Sequence, residues 1–244
     1  MARKNFRATM CMMLTITLVL CCAMPAFAHT NGYSVNENGE TYGNNLQAME
    51  LGYLSDLLLA EGENGVMGYI RASDLDDAVM RPEEAVNSSA DSYIPLYESD
   101  GVTIIGRFRI AGVPEDIPQT FSSYTYGNKG VMSPPGYTGY SKSGVKGSVG
   151  GVTGTTEVTT SKEVAISWIG IQACVYKSST GAVVASSSWE YNTSATNSFS
   201  REVYHFSVLD ETYYSQGRVK MWNSDISGYW TYSTYASPVV KPST

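Results

Sequence analysis

The sequence predicts a small α+β unit followed by an all-β antiparallel sandwich. Three observations predict this. Charge divides the chain: residues 29–130 carry 16 acidic and 5 basic side chains, a net of −11, whereas 131–244 carry 7 and 8, a net of +1. Helix and hairpin signals are mixed in the first part. After residue 145 the chain runs in short stretches dense in Val, Ile, Thr, Tyr and Trp, broken by turn signals and without a helical period. A length of 244 residues suits one or two domains at ~100–200 residues each. With 43% hydrophobic and only 16% charged residues, the chain lacks the composition of a disordered one. Its acidic balance argues against a nucleic-acid partner held through phosphates.

The first element, residues 1–28, reads as a secretory signal. Arg3, Lys4 and Arg7 form a basic start, Met10 to Ala23 an apolar run, and Ala26-Phe27-Ala28 an A-x-A cleavage signal. The run is too short for the ~20 residues of a spanning helix. A lipid-anchored alternative at Cys21 is disfavoured by the bulk of Leu20 before it. Cleavage near Ala28 removes three of the 16 basic residues and none of the 23 acidic ones, so 13 minus 23 leaves −10. Cys11, Cys21 and Cys22 leave with the signal. Cys174 alone remains, so no internal disulfide is possible. The expectation is a secreted or cell-surface protein with no membrane span in the mature chain.

The second element, residues 29–112, is the acidic α+β unit. Asn64-Gly65 lies between Leu57–Ala60 and Val66–Ile70. Asn-Gly between apolar runs predicts a tight hairpin, because both turn positions need positive φ. Asp100-Gly101 repeats the device between Ile94–Tyr97 and Val102–Phe108. Asn45 to Gly52 predicts a short helix. So does Pro82, with Glu83 and Glu84 in the first turn, where carboxylates complement the helix dipole.

The ordered series Thr41-Tyr42-Gly43, Ser55-Asp56-Leu57-Leu58, Gly62-Glu63-Asn64-Gly65, Gly68-Tyr69-Ile70-Arg71-Ala72-Ser73-Asp74-Leu75, Pro82-Glu83-Glu84-Ala85 and Ile94-Pro95-Leu96-Tyr97 resembles a small module. That module is found in secreted and membrane-anchored proteins of Gram-positive gut bacteria and has no assigned chemistry. The resemblance covers Tyr33 to Ala111. The segment from Gly68 to Leu75 is also similar to the last strands of bacterial Src-homology-3-like cell-wall domains, which implies peptidoglycan or peptide as a partner. The layout after residue 145 resembles other uncharacterised secreted β-sandwiches of such bacteria.

The third element, residues 113–144, is a Pro/Gly/Ser/Tyr-rich stretch without a readable period and is expected to connect the two units. The fourth, residues 145–244, is the sandwich. Strands are predicted over Glu157–Thr160, Val164–Tyr176, Val183–Tyr191, Ser198–Val208, Gly217–Trp222 and Tyr229–Tyr235. Val164–Ile169 is apolar on both parities, as a strand covered on two faces would be. The glycines at 144, 147, 150, 151 and 154 lack the ending of a phosphate-binding loop. They predict a flexible lead-in or an edge strand with bulges.

No reaction is legible. Cys174 and His205 are the residue types of a nucleophile–base pair, but Cys174 lies in the most apolar run and reads as core. Two histidines and one cysteine cannot fill a zinc site without carboxylates, and Asp74, Asp76 and Asp77 lack the spacing of a calcium loop. No metal and no cofactor are expected. Glu157, Glu163, Glu190, Glu202, Asp210, Glu211 and Asp225 supply carboxylates, but no two are singled out as a hydrolytic pair. The aromatic supply is the strongest signal, since rings stack on sugar faces and on protein surfaces alike. The predicted binding residues are Trp189, Tyr191, Trp222, Trp230 and Tyr232. The expected function is a non-enzymatic exoprotein that binds cell-envelope glycan or a protein surface. A toxin-like effector and a glycan hydrolase are the alternatives.

Overall fold

The computed structural model describes residues 32–76, 81–87, 92–111, 123–207 and 210–242. The expected signal, residues 1–28, lies outside them. The described chain is mostly β. Its strands are β1 (Ser34–Val35), β2 (Thr41–Gly43), β3 (Leu57–Glu61), β4 (Met67–Arg71), β5 (Ser92–Tyr97), β6 (Ile104–Ala111), β7 (Thr125–Tyr126), β8 (Gly130–Met132) and β9 (Gly139–Ser148). They continue with β10 (Gly151–Val164), β11 (Ile169–Gln172), β12 (Cys174–Lys177), β13 (Val183–Ser187), β14 (Glu190–Tyr191), β15 (Thr196–Phe206), β16 (Tyr213–Ser215), β17 (Arg218–Asn223) and β18 (Gly228–Ser233). One α-helix, α1 (Asn45–Leu51), is described.

Three sheets form. The first runs β1-β2-β3-β4-β5-β6-β13-β12-β16, the second β15-β10-β9-β7 with β8 on β9, and the third β14-β11-β17-β18. The pairings are antiparallel except β2–β3, β3–β13 and β6–β13 among the described residues. The first sheet thus crosses the charge boundary of the sequence. Ser186 of β13 pairs with Ile110 of β6, and Val183 pairs with Ala60 of β3.

β12 and β13 are covered on two faces. Val175, Val184 and Ala185 pack with Val145, Val152 and Val203 of the second sheet. Cys174, Tyr176 and Val183 pack with Leu58, Ile70, Leu96 and Phe108. Strand alternation sends Cys174 and Tyr176 to one core and Val175 to the other, and the register shift opposite leaves Val184 as an extra residue that joins Ala185 in the same core. A third core joins Val158 and Val164 to Ile169, Ile171, Val219 and Met221. The second sheet therefore lies as one layer over β12–β13 and the third sheet.

Both predicted hairpins form: Asn64 and Gly65 take φ of 61° and 75°, whereas in the second turn Gly101 takes 70° and Asp100 is not in the positive-φ region. Asp100 accepts from the Thr103 hydroxyl and then from the Thr103 and Val102 amides, which holds its carboxyl below the usual range. Pro82–Asn87 forms a 3-10 turn.

Three expectations are corrected. The doubly covered strand is Cys174–Tyr176, not Val164–Ile169. β10 ends at Val164, and a turn follows with Ser167 at φ 61°. Asn192 builds that turn, accepting from the Ile169 amide and donating to the Ala165 carbonyl. The glycine run is no lead-in or edge, because β10 lies between β9 and β15. A Cβ at Gly154 would stand 2.7 Å from Val175 Cγ2, so glycine there lets the layers close. Of the expected connection, residues 113–122 lie outside the described residues. The part from 123 to 144 supplies β7, β8 and the first half of β9, and so belongs to the second sheet.

Candidate functional site

A groove of about 400 Å³ lies between α1 and the tail after β18. The helix forms because Asn44 accepts from the Gln47 amide while the Gln47 side chain accepts from the Asn44 amide, a reciprocal cap on two otherwise unmet donors. It stops at Gly52, φ 83°. The Asn45 amide donates to the Gly181 carbonyl, 3.0 Å. The Asn45 side chain donates to Gln216 Oε1 (2.7 Å) and Tyr214 Oη (3.2 Å), and Gln216 donates to the Thr234 carbonyl (2.8 Å). Burial pushes the Tyr214 phenol up to about 12. These bonds fix the floor.

The walls are aromatic and apolar. Tyr53 and Met49 rise from the helix side, and Tyr232, Tyr235 and Val131 from the other. Tyr53 is 45% exposed and Tyr235 58%. Tyr33 steadies Tyr53, edge-to-face at 5.5 Å with its hydroxyl donating to the Tyr53 carbonyl. Thr234 is anchored from behind by Ser143 and the Gly217 amide. The described lining carries amides, hydroxyls and phenols and no charged side chain.

Of the five predicted residues, the groove takes Tyr232 alone. Trp189 and Tyr191 are 2% and 4% exposed. They pack with Ala85 and Tyr229, and Trp189 Nε1 donates to the Leu75 carbonyl. Leu75 and Ala85 cover them, which withdraws both from an open face. Trp222 and Trp230 do not share a groove. β17 pairs Trp222 with Tyr229 and Met221 with Trp230. Paired residues share a face and neighbours alternate, so the two indoles lie on opposite faces. Trp230, 38% exposed, meets Tyr232 edge-to-face. The sequence reading missed Tyr53 and the Asn45–Gln216 floor. The cap at Asn44–Gln47 and Gly52 were the signals that set Tyr53 just beyond a helix end.

The other candidates are set apart. Cys174 lies beside Ser186 at 3.4 Å, and burial pushes its thiol up. His205 rests on Tyr213, 5.2 Å between rings. Glu190 binds Arg201 at 2.6 Å, Glu157 binds Lys142 at 3.0 Å, and Glu202 accepts from Tyr124 at 2.5 Å. Asp76 binds Arg218 at 3.1 Å, and Asp77 lies outside the described residues. No cluster of three or more metal-ligating side chains occurs among the described residues. No described helix is long and apolar enough to cross a membrane. No family model, curated protein or solved structure matches the chain.

Proposed function

We propose that the protein is exported and binds a neutral cell-envelope glycan in the groove between α1 and the β18 tail. The observation that carries this reading is the uncharged lining, with Tyr53 and Tyr235 standing exposed over a floor of Asn45, Gln216 and Thr234. Tyrosine faces stack on the apolar faces of sugars, and fixed amides and hydroxyls satisfy sugar hydroxyls. Glycoside hydrolysis needs two carboxyl groups flanking one bond, and the described lining supplies none, so the reading is binding without cleavage. Residues 29–112 are the α+β module, with its resemblance over Tyr33 to Ala111, and they lend α1 as one wall. The apolar run from Met10 to Ala23 and the A-x-A signal support export.

Retention of the purified protein on cell walls and on neutral polysaccharides tests the proposal. Tyr53→Ala and Tyr235→Ala are each expected to weaken retention about tenfold, the equivalent of ~1.4 kcal/mol, without changing the fold. Retention in both variants equal to that of the unsubstituted protein, or none on any neutral glycan, overturns it. N-terminal sequencing of the exported chain is expected to begin at His29.

A further inference from the structure

A strand with one neighbour leaves a row of open backbone groups, a template for another strand unless something blunts it. Most sheet edges among the described residues are blunted. β1, β7, β8 and β14 are two or three residues long. The tail covers β16, where Tyr213 exchanges backbone bonds with Val240 and Ser215 accepts from the Ser237 amide. β15 is long, but it turns Arg201 inward to Glu190, and its register against β10 breaks between Thr159 and Val164.

β18 has none of these devices. Gly228–Ser233 pairs with β17 in unbroken register. Its sequence, Gly-Tyr-Trp-Thr-Tyr-Ser, holds no charge and no proline and is dense in strand formers. The ladder fixes which backbone groups are open. The Trp222 amide donates to the Trp168 carbonyl on the β11 side, and the Thr234 amide donates to the Gly217 carbonyl. Odd-numbered residues of β17 therefore bond to β18, and Arg218 and Lys220 bond to β11. Arg218 and Lys220 lie opposite Ser233 and Thr231. The amides and carbonyls of Thr231 and Ser233 thus point away from β17, and both residues are exposed. No described strand pairs there.

The side chains select the partner. Trp230 and Tyr232 lie on one face of β18, edge-to-face at 6.4 Å, and Trp230 is 38% exposed. A second β18 laid antiparallel on the open edge and centred on Thr231 sets Thr231 against its own copy with two backbone bonds. It also sets Trp230 of each copy against Tyr232 of the other. These are non-hydrogen-bonded positions, where facing side chains come closest, and aromatic cross-strand pairs are stabilising. No charged side chain of β18 enters this register, so the strand is its own complement. Six residues a side is a small contact beside the ~1,200 Å² of a stable interface, so the association is weak.

We propose that the protein self-associates as a two-fold dimer through the open edge of β18, joining two four-stranded third sheets into one. Tyr232 and Ser233 also border the glycan groove, but association is measured without glycan and stands or falls apart from that reading.

Sedimentation of the purified mature chain from low-micromolar to near-millimolar concentration tests the proposal. The mass is expected to double across that range. Added salt should strengthen association, because each mature copy carries a net of −10 and the edge carries no charge. Thr231→Pro removes an outward donor that β17 does not use. It should weaken association at least tenfold with unchanged circular dichroism, whereas Phe206→Ala, exposed on β15, should leave it unaltered. A second measurement needs no variant: amide exchange at Thr231 and Ser233 should slow several-fold as concentration rises, while exchange in β15 does not. A monomeric mass throughout, exchange at Thr231 indifferent to concentration, or a folded Thr231→Pro chain that associates as before overturns the proposal.

Discussion

His205 shows how one side chain ties burial to solution behaviour. Its ring lies against Tyr213, and burial, then the charge of Lys177, lowers its pKa from 6.5 to about 4. The folded state thus prefers the neutral ring more than the unfolded chain does. Stability from this preference is complete above the unfolded value and is lost as pH falls through the folded one, between about 6.5 and 4. Urea midpoints measured across that window should fall with acid, and His205→Asn should flatten the slope. A slope unchanged in the variant would assign the loss elsewhere. At Gly154 the constraint is steric: a Cβ would meet Val175 Cγ2 at 2.7 Å and Ser215 Oγ at 2.9 Å. Gly154→Ala should cost ~1–3 kcal/mol by overpacking, read as a lowered Tm. The tyrosines and tryptophans were legible as a supply of rings but not as a surface. Period-two alternation places Trp189 and Tyr191 on one face, yet what covers that face comes from residues more than a hundred positions earlier, which no local pattern encodes.

At the scale of elements, local signals were the readable ones. Asn64-Gly65 and Asp100-Gly101 made the predicted turns, with positive φ at Asn64, Gly65 and Gly101, and the caps bounded α1. Strand boundaries were less legible where a side chain competed with the ladder, as Asn192 does at the Val164–Ile169 turn. The least legible element was the clamp at Leu75. Its carbonyl receives Arg218 Nη2 at 2.9 Å, Gln172 Nε2 at 3.0 Å and Trp189 Nε1 at 3.1 Å. Arg218 also donates to Gln172 Oε1 and pairs with Asp76. One guanidinium thus joins the 3-10 turn Ala72–Leu75 to the third sheet. Arg218→Met should cost ~1.5–3 kcal/mol, the range for hydrogen bonds to charged groups. It should also speed amide exchange in residues 72–76 more than in α1. Exchange that rises equally throughout would mean that Arg218 supports the whole fold and not this clamp.

At the scale of the molecule, the acidic and β-rich halves of the sequence are not two bodies joined by a linker. Their charge contrast is a property of surfaces, and surface charge is no constraint on which strands pair. The core between them mixes Leu58, Ile70, Leu96 and Phe108 with Cys174, Tyr176, Val183 and Tyr214, and β13 hydrogen-bonds to β3 and β6. A cut between the halves would expose one face of β12 and β13 and leave the parallel pairings of β13 unmade. The groove would lose α1, one of its walls. Cooperativity is the measurable consequence. All four tryptophans lie between 168 and 230, so indole fluorescence reports the second half, with Trp189 also sensing its cover of Leu75 and Ala85, while amide exchange in β3–β6 reports the first. The two probes should give one guanidinium midpoint, because neither half keeps its core when the other opens. A chain beginning at residue 123 should bind a hydrophobic dye and lose near-ultraviolet dichroism, since Tyr176 and Tyr214 stack at 5.3 Å on the face that the first half covers. Separate midpoints for the two probes, with a native-like shortened chain, would mean that the shared sheet contributes little and that the halves fold alone.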